Sequence, residues 1–349
     1  MAIELNILQA EHGDSIAISY EFEGEIKNIL IDGGPAQAFE VQHTPRPLKL
    51  FLNNIKSKNQ KIDLLVLTHV DDDHIGGLLA GFNKSGYLTD LTKEVWFNSG
   101  KLIFNHFDKP LDDSNTVKLK NSSGNNTSIG QGIKLEEYLI DKKIWSHDLI
   151  KTGDEIDWFG SKFKILSPSL AKLEKLLVKW VKETPNANTS GQNNDYQNSI
   201  EQLLADDDFE EDKSIHNGSS LAFIFECHDK SILFLGDAHP SVVIESLESL
   251  GYSKDNPLKI DYVKVSHHGS KANTNNELLQ FIECENFIIS ANGKHHRLPN
   301  KLVLARIINR FPTANLMFNY PDLINRIFTE EERKEATYST SSCEGTIQI

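Results

Sequence analysis

Apolar residues in this chain gather into short runs, each closed by charged or turn-forming residues, and the runs are of two kinds. Some are unbroken and too short for a helix, as in Leu64-Leu65-Val66-Leu67, Ile232-Leu233-Phe234-Leu235 and the segment 260–265. Those predict strands buried on both faces. Others recur at three-to-four spacing and predict amphipathic helices over 45–58, 133–144, 170–182 and 301–310. Glu23-Gly24-Glu25 marks a hairpin turn between 16–20 and 28–31, and the segments 155–160 and 162–168 predict a second hairpin. Further strands are expected at 3–8, 95–98, 221–225, 287–290 and 315–318, with 346–349 closing a sheet. The run 330–335 reads as a solvated turn or helix. Strands alternating with helices make this an α/β protein. Two stretches, near 108–128 and 184–214, are too polar to bury and read as insertions in a single domain spanning 1–349. The second reads as loop or partial disorder; because it directly precedes a later motif, a lid is the alternative.

The strand ending at Leu67 runs straight into Thr68-His69-Val70-Asp71-Asp72-Asp73-His74-Ile75-Gly76-Gly77. Open α/β sheets place their sites at the carboxyl ends of strands. His69 and Asp71 stand two apart and project to one side of an extended chain, while Asp73 and His74 can converge on a second point once the chain turns. Two such pairs suit two metal ions sharing one bridging hydroxide. Gly76-Gly77 is expected to loosen the backbone before a helix starting at Leu78. An acidic loop capping a helix would explain one or two of the aspartates. It would not explain a histidine at each end.

The pattern H-x-D-x-D-H-x-G-G resembles the metallo-β-lactamase superfamily motif H-x-H-x-D-H, with Asp71 replacing the second histidine. Within that superfamily it resembles the ComEC-type branch, the soluble domain attached to DNA-uptake channels, and its stand-alone relatives. The resemblance implies an αββα four-layer sandwich: two mixed sheets back to back, helices outside each, and a dinuclear site on one edge. It implies that Asp237 of Gly236-Asp237 bridges the two ions, and that Ser266-His267-His268-Gly269-Ser270 is the last motif. By its position at a strand's end His267 is expected to be the ligand, with His268 beside it or donating to a phosphate oxygen. His69, Asp71 and Asp237 would then hold one ion, and Asp73, His74, Asp237 and His267 the other. Asp73 would also orient a metal-bound hydroxide or take its proton. Asp14 and Asp32 are expected in turns supporting these ligands. The superfamily usually supplies a further histidine before the Gly-Asp; here Asn217 stands ahead of Ser219-Ser220-Leu221. Oxygen donors at 71 and 217 harden the site and favour two Mn²⁺ ions, with Zn²⁺ as the alternative. Asn292-Gly293-Lys294-His295-His296-Arg297-Leu298-Pro299 matches in part a Gly…His-Pro element on the substrate side. Either His295 or His296 could face an anionic substrate there, and a solvated loop explains the segment equally well.

Composition changes the picture in three places. With 39% apolar and 25% charged residues the chain is an ordinary globular protein. No apolar run approaches a bilayer's span, Met1-Ala2-Ile3-Glu4 is not a signal peptide, and three widely spaced cysteines read as reduced; no membrane partner and a cytoplasmic setting are expected. A net charge of −14 opposes nucleic-acid binding over the whole surface. The late cations Lys264, Lys271, Lys294, Arg297, Lys301, Arg306 and Arg310 form either a local basic rim or a solvated helix face. The favoured function is therefore a metal-dependent phosphodiesterase or nuclease acting on an anionic phosphodiester, DNA or RNA included. The alternatives are hydrolysis of a carboxylic ester, lactone, thioester or lactam, and a degenerate binding or signalling module, such as a partner-activated component of a defence system. No protein partner is legible in these residues.

Overall fold

The computed structural model describes residues 2–107, 127–146, 148–181, 194–294 and 296–349. Among them, two mixed sheets carry the fold, one of six strands and one of eight. In the first sheet the hairpin strands Ile16–Phe22 and Glu25–Ile31 pair antiparallel, with Glu4–Ile7 and the closing strand Thr346–Gln348 beyond them. On the other side Glu25–Ile31, Leu64–Val66 and Val95–Trp96 run parallel. In the second sheet, the hairpin Glu155–Trp158/Ser161–Ser167 leads to Ala222–Cys227 and Lys230–Phe234. Tyr262–Lys264, Asn286–Ile289, Asn315–Phe318 and Ser339–Ser342 then continue it in parallel.

Strand side chains alternate between faces, and the cores divide accordingly. Ile29, Ile31, Leu64 and Val66 meet Phe223, Phe225, Ile232 and Phe234 in a core between the sheets. The intervening Leu30 and Leu65 face helices instead, packing with Leu48, Leu52 and Ile55 of the helix Pro47–Ser57. On the far side Ala222, Ile224, Leu233 and Leu235 pack with Val303, Leu304 and Ile307 of the helix Lys301–Arg310. Three cores separate four layers, and the runs that looked continuously apolar are the strands buried on both faces. The order helix, sheet, sheet, helix is the αββα sandwich.

Three sequence expectations are corrected. The helix after His69 begins at Asp72, not Leu78, and Gly76 and Gly77 lie inside it. Their lack of side chains serves close packing: a Cβ on Gly77 would stand 2.0 Å from the Gly33 carbonyl oxygen. The portion 194–214 of the second polar stretch is pinned by its acidic side chains. Asp195 accepts from the amides of Lys301 and Leu302, Glu211 from Ser241, and Asp207 pairs with Arg306 through both carboxylate oxygens. The rest of that stretch, and most of 108–128, lie outside the described residues. Finally, the basic rim loses three members. Lys264, Lys301 and Arg306 are buried and held by Asp14, Glu332 and Asp207 respectively. Long cationic side chains are buried only when paired, and sequence position does not reveal the partner.

No helix among the described residues is long and apolar enough to cross a membrane. Cys227, Cys284 and Cys343 are free and buried.

Candidate metal centre

The parallel strands of both sheets point their carboxyl ends at one place. Glu25–Ile31 delivers Asp32, and Leu64–Val66 delivers the segment from Thr68 to His74. From the second sheet, Lys230–Phe234 delivers Asp237 and Tyr262–Lys264 delivers His267 and His268. Main-chain bonds weld these tips together. The Gly33 amide donates to the His74 carbonyl, Gly34 to Asp14, Gly77 to Gly34, and Asp14 to Asp73. Leu221 of the second sheet's side donates to the Thr68 carbonyl of the first, and within the second sheet His267 donates to the Gly236 carbonyl. Gly13 permits the Asp14–Asp73 contact, since a Cβ there would stand 1.8 Å from the Asp73 carbonyl oxygen.

Asp237 is the hub. Its Oδ1 lies 3.5 Å from His74 Nε2, and its Oδ2 lies 3.7 Å from His69 Nε2 and 3.6 Å from His267 Nε2. Around the Oδ2 side, Asp71 Oδ2 is 3.8 Å from His69 Nε2. Around the Oδ1 side, Asp73 is 3.9 Å from His74 Nε2 and 3.4 Å from His268 Nε2. These separations exceed hydrogen-bond length, yet they match ligand atoms arranged about a cation roughly 2.0–2.2 Å from each.

The outer nitrogen of each imidazole is held by another group. His74 Nδ1 is 2.7 Å from Asp32 Oδ2, His69 Nδ1 is 3.1 Å from Thr68 Oγ1, and His267 Nδ1 is 2.9 Å from Asn273 Oδ1. His268 Nδ1 stands 3.1 Å from the Ser290 carbonyl and 3.4 Å from Asp14 Oδ1. Holding one ring nitrogen fixes the tautomer and aims the other. The aimed atoms, Nε2 of His69, His74 and His268, are buried with no hydrogen-bond partner, as is Asp237 Oδ1. Buried polar atoms left unpaired are costly unless something else satisfies them. Asp14, His74, Asp237 and His268 also place ligand atoms within 4.8 Å of one another. Imidazole nitrogens and carboxylate oxygens converging here fit a divalent cation.

The geometry departs from the expected division between His267 and His268. Both imidazoles reach the hub, but His268 is the one buried against His74, with ring centroids 5.3 Å apart. His267 keeps 24% of its side chain exposed. Both residues adopt left-handed backbone angles (φ 45° and 52°), so counting from an extended strand tip mistakes which ring turns inward. Asp32 holds His74 directly, whereas Asp14 stands 3.4 Å behind His268, whose Nδ1 donates to the Ser290 carbonyl. Asn217 faces the outer side of His267, its Nδ2 3.4 Å from Nδ1. His295 lies outside the described residues. His296 and Lys271 are exposed, in contrast to the buried histidines of the hub.

Two residues were missed. His216, 1% exposed, places Nδ1 2.5 Å from Asp71 Oδ1, and Asp212 accepts from Asn217 and Asn273 beside His267. His216 carries no signal along the chain, because its partner Asp71 lies 145 residues away. Asp212 sits in an acidic run that only the fold brings to the site.

Burial opposes ionisation of Asp73, but His74 and His268 hold its carboxyl far below the usual range. Burial likewise opposes protonation of His268, yet Asp14 and Asp237 push its imidazole up to about 10; Asp237 similarly raises His267 to about 8. A cation must displace those protons. Metal affinity is therefore expected to rise with pH through about 8 and onward toward 10, with proton release on binding. Calorimetry in buffers of different ionisation enthalpy checks this, and affinity that is flat from about pH 6 to 9 would contradict it.

A sequence profile described as "Metallo-beta-lactamase superfamily" matches residues 13–294. Curated proteins gave no match. Among solved structures, the metallo-beta-lactamase fold protein YhfI from Bacillus subtilis is 10% identical over 100% of both chains, with a TM-score of 0.43. CmlA, a diiron beta-hydroxylase from Streptomyces venezuelae, is 13% identical over 100% of this chain and 54% of its own, with a TM-score of 0.40. AidC, a dizinc quorum-quenching lactonase, is 11% identical over 65% of this chain and 57% of its own, with a TM-score of 0.31. Those likenesses are too distant to argue from, and the family rests on the profile, which runs from the glycine before Asp14 to the loop beyond His268. The chain belongs to the metallo-β-lactamase superfamily.

Proposed function

We propose that this protein is a metal-dependent hydrolase whose dinuclear centre is divided by Asp237. The carrying observation is the set of buried, unpartnered atoms on His69, His74, His268 and Asp237 that face one another. In this reading His69, Asp71 and His267 would hold one cation and Asp73, His74 and His268 the other, with Asp237 shared between the two sets. His216 holds the outer oxygen of Asp71, so that the inner oxygen keeps its aim. Two divalent cations at such a site supply a nucleophile at neutral pH and neutralise charge developing on substrate oxygens. Asp73, 22% exposed, would orient the nucleophile or take its proton. His267, partly exposed, lines the approach, steered by Asn273 and Asp212.

Among four imidazoles and three carboxylates, Asp71 standing where the superfamily motif has a histidine is the ground for reading Mn²⁺ over Zn²⁺ and, with it, a phosphodiester substrate. Partners that trigger or recruit the enzyme belong to the same proposal only as candidates for test. One observation favours a second reading. Three of the cations expected on the rim are spent inside the fold, and the acidic run from Asp206 to Asp212 borders the site through Asp212. That environment suits a short phosphodiester better than a long polyanion, and it also suits an uncharged ester or lactone.

Turnover of bis-p-nitrophenyl phosphate, short single-stranded DNA and RNA, p-nitrophenyl acetate and a simple lactone separates the readings. The expected result is phosphodiester hydrolysis, greater with Mn²⁺ than with Zn²⁺ and abolished by EDTA. Ester or lactone turnover without phosphodiester hydrolysis would establish the second reading. Tight metal binding with no turnover of any of them would point to a binding module.

A further inference from the structure

The strand Tyr262–Lys264 ends in an ammonium that is 1% exposed and lies behind the metal centre. Lys264 Nζ donates to Asp14 Oδ2 at 2.6 Å and to the Val265 carbonyl at 3.0 Å. The other oxygen of Asp14, Oδ1, is buried, makes no hydrogen bond, and stands 3.4 Å from His268 Nδ1. Asp14 thus lies between two roles. It can stay behind His268, whose Nδ1 donates to the Ser290 carbonyl, or it can turn inward, because its ligand atom is within 4.8 Å of those of His74, Asp237 and His268.

Asp32 faces no such choice. Its two oxygens accept from the Thr68 amide at 2.8 Å and the Thr68 hydroxyl at 2.7 Å, and it also holds His74 Nδ1. On the Asp14 carboxylate, the tie corresponding to Thr68 is the Lys264 ammonium. A charge-assisted bond of this length, made where water is excluded, is strong enough to decide where a carboxylate points.

We infer that Lys264 is a positioning residue: it pins Asp14 behind His268 and keeps that carboxylate out of the coordination shell of the second cation. This rests on the dinuclear reading above. Its role differs from that of a rim cation, because the ammonium is sealed from any substrate. It also differs from a simple electrostatic effect in what it changes. Direct repulsion between the ammonium and a bound cation would alter affinity at an unchanged ligand set. Loss of positioning alters the ligand set itself, because the freed carboxylate can join it.

The test compares wild type, Lys264→Met and the double variant Lys264→Met/Asp14→Asn, all stripped of metal and shown folded by circular dichroism. The double variant removes both buried charges together, so it keeps the inference falsifiable if Lys264→Met alone fails to fold. Each is titrated with Mn²⁺ for affinity and with Co²⁺ for its visible spectrum. In Lys264→Met the Co²⁺ spectrum is expected to change at the second equivalent, as the freed Asp14 carboxylate enters the shell, while the first equivalent matches wild type. In the double variant the neutral amide replacing that carboxylate should return the second-equivalent spectrum to that of wild type. A folded Lys264→Met protein with an unaltered spectrum, or a double variant whose second-equivalent spectrum differs from wild type, would overturn the inference alone. A wild-type protein that binds no second ion would overturn the dinuclear reading and this inference with it.

Discussion

Asp237→Ala is expected to lower turnover by roughly 10³-fold or more and to abolish stoichiometric binding of a second cation. Asp237 offers Oδ1 to the His74 side and Oδ2 to the His69 and His267 side, so its loss opens both coordination sets at once. A cation's stabilisation of a hydrolytic transition state amounts to several kcal/mol, and about 4 kcal/mol corresponds to that factor. Folding should survive, because the position is fixed through main-chain and neighbouring contacts. The Asp237 amide donates to Ser220 Oγ and its carbonyl accepts from Asn273, and both bonds remain in the variant. Metal content by mass spectrometry of the purified variant, measured beside the thermal midpoint of the stripped form, checks both halves. A variant retaining two ions and near-normal turnover would be incompatible with Asp237 as the shared ligand.

Gly77→Ala is expected to destabilise the protein by about 3 kcal/mol or more, at the upper end of overpacking costs. The added carbon would stand 2.0 Å from the Gly33 carbonyl oxygen and 2.9 Å from its carbon. Both belong to main chain, which no rotamer change can move aside. The loop Asp32-Gly33-Gly34 and the helix Asp72–Phe82 would have to separate. That motion breaks the bonds from Gly33 to His74 and from Gly77 to Gly34, and it carries Asp32 away from His74. Metal affinity should therefore fall with stability. Gly24→Ala is the contrast: the residue is left-handed (φ 81°) with open space around it, so the cost is confined to about 1 kcal/mol of backbone strain. Denaturant midpoints at unchanged slope measure both changes. Equal, small shifts would show that the crossing tolerates a side chain.

These two residues also mark what can be read along the chain. Strand and helix placement followed from hydrophobic period, because two sheets packed face to face force alternation and parallel strands force continuous apolar runs. The helix Lys301–Arg310 and the strand Asn315–Phe318 occupy the expected positions for that reason. Asp237 and His69 are legible because each closely follows a buried strand, and His74, in the first turn of the helix Asp72–Phe82, is legible from its spacing to His69. A glycine pair suggests a loose backbone, and only the fold shows that it permits contact. The roles within His267-His268 depended on consecutive left-handed residues, which no spacing rule anticipates for histidine. Lys264 and Arg306 looked like surface charge because their partners, Asp14 and Asp207, lie far away along the chain. His216 and Asp212 were silent for the same reason.

The central claim is that two cations sit on either side of one carboxylate, and anomalous diffraction from crystals grown with Mn²⁺ addresses it directly. Two peaks bracketing Asp237 are expected, one beside His69 and Asp71 and the other beside His74 and His268. A single peak away from Asp237, or none at saturating metal, would contradict it.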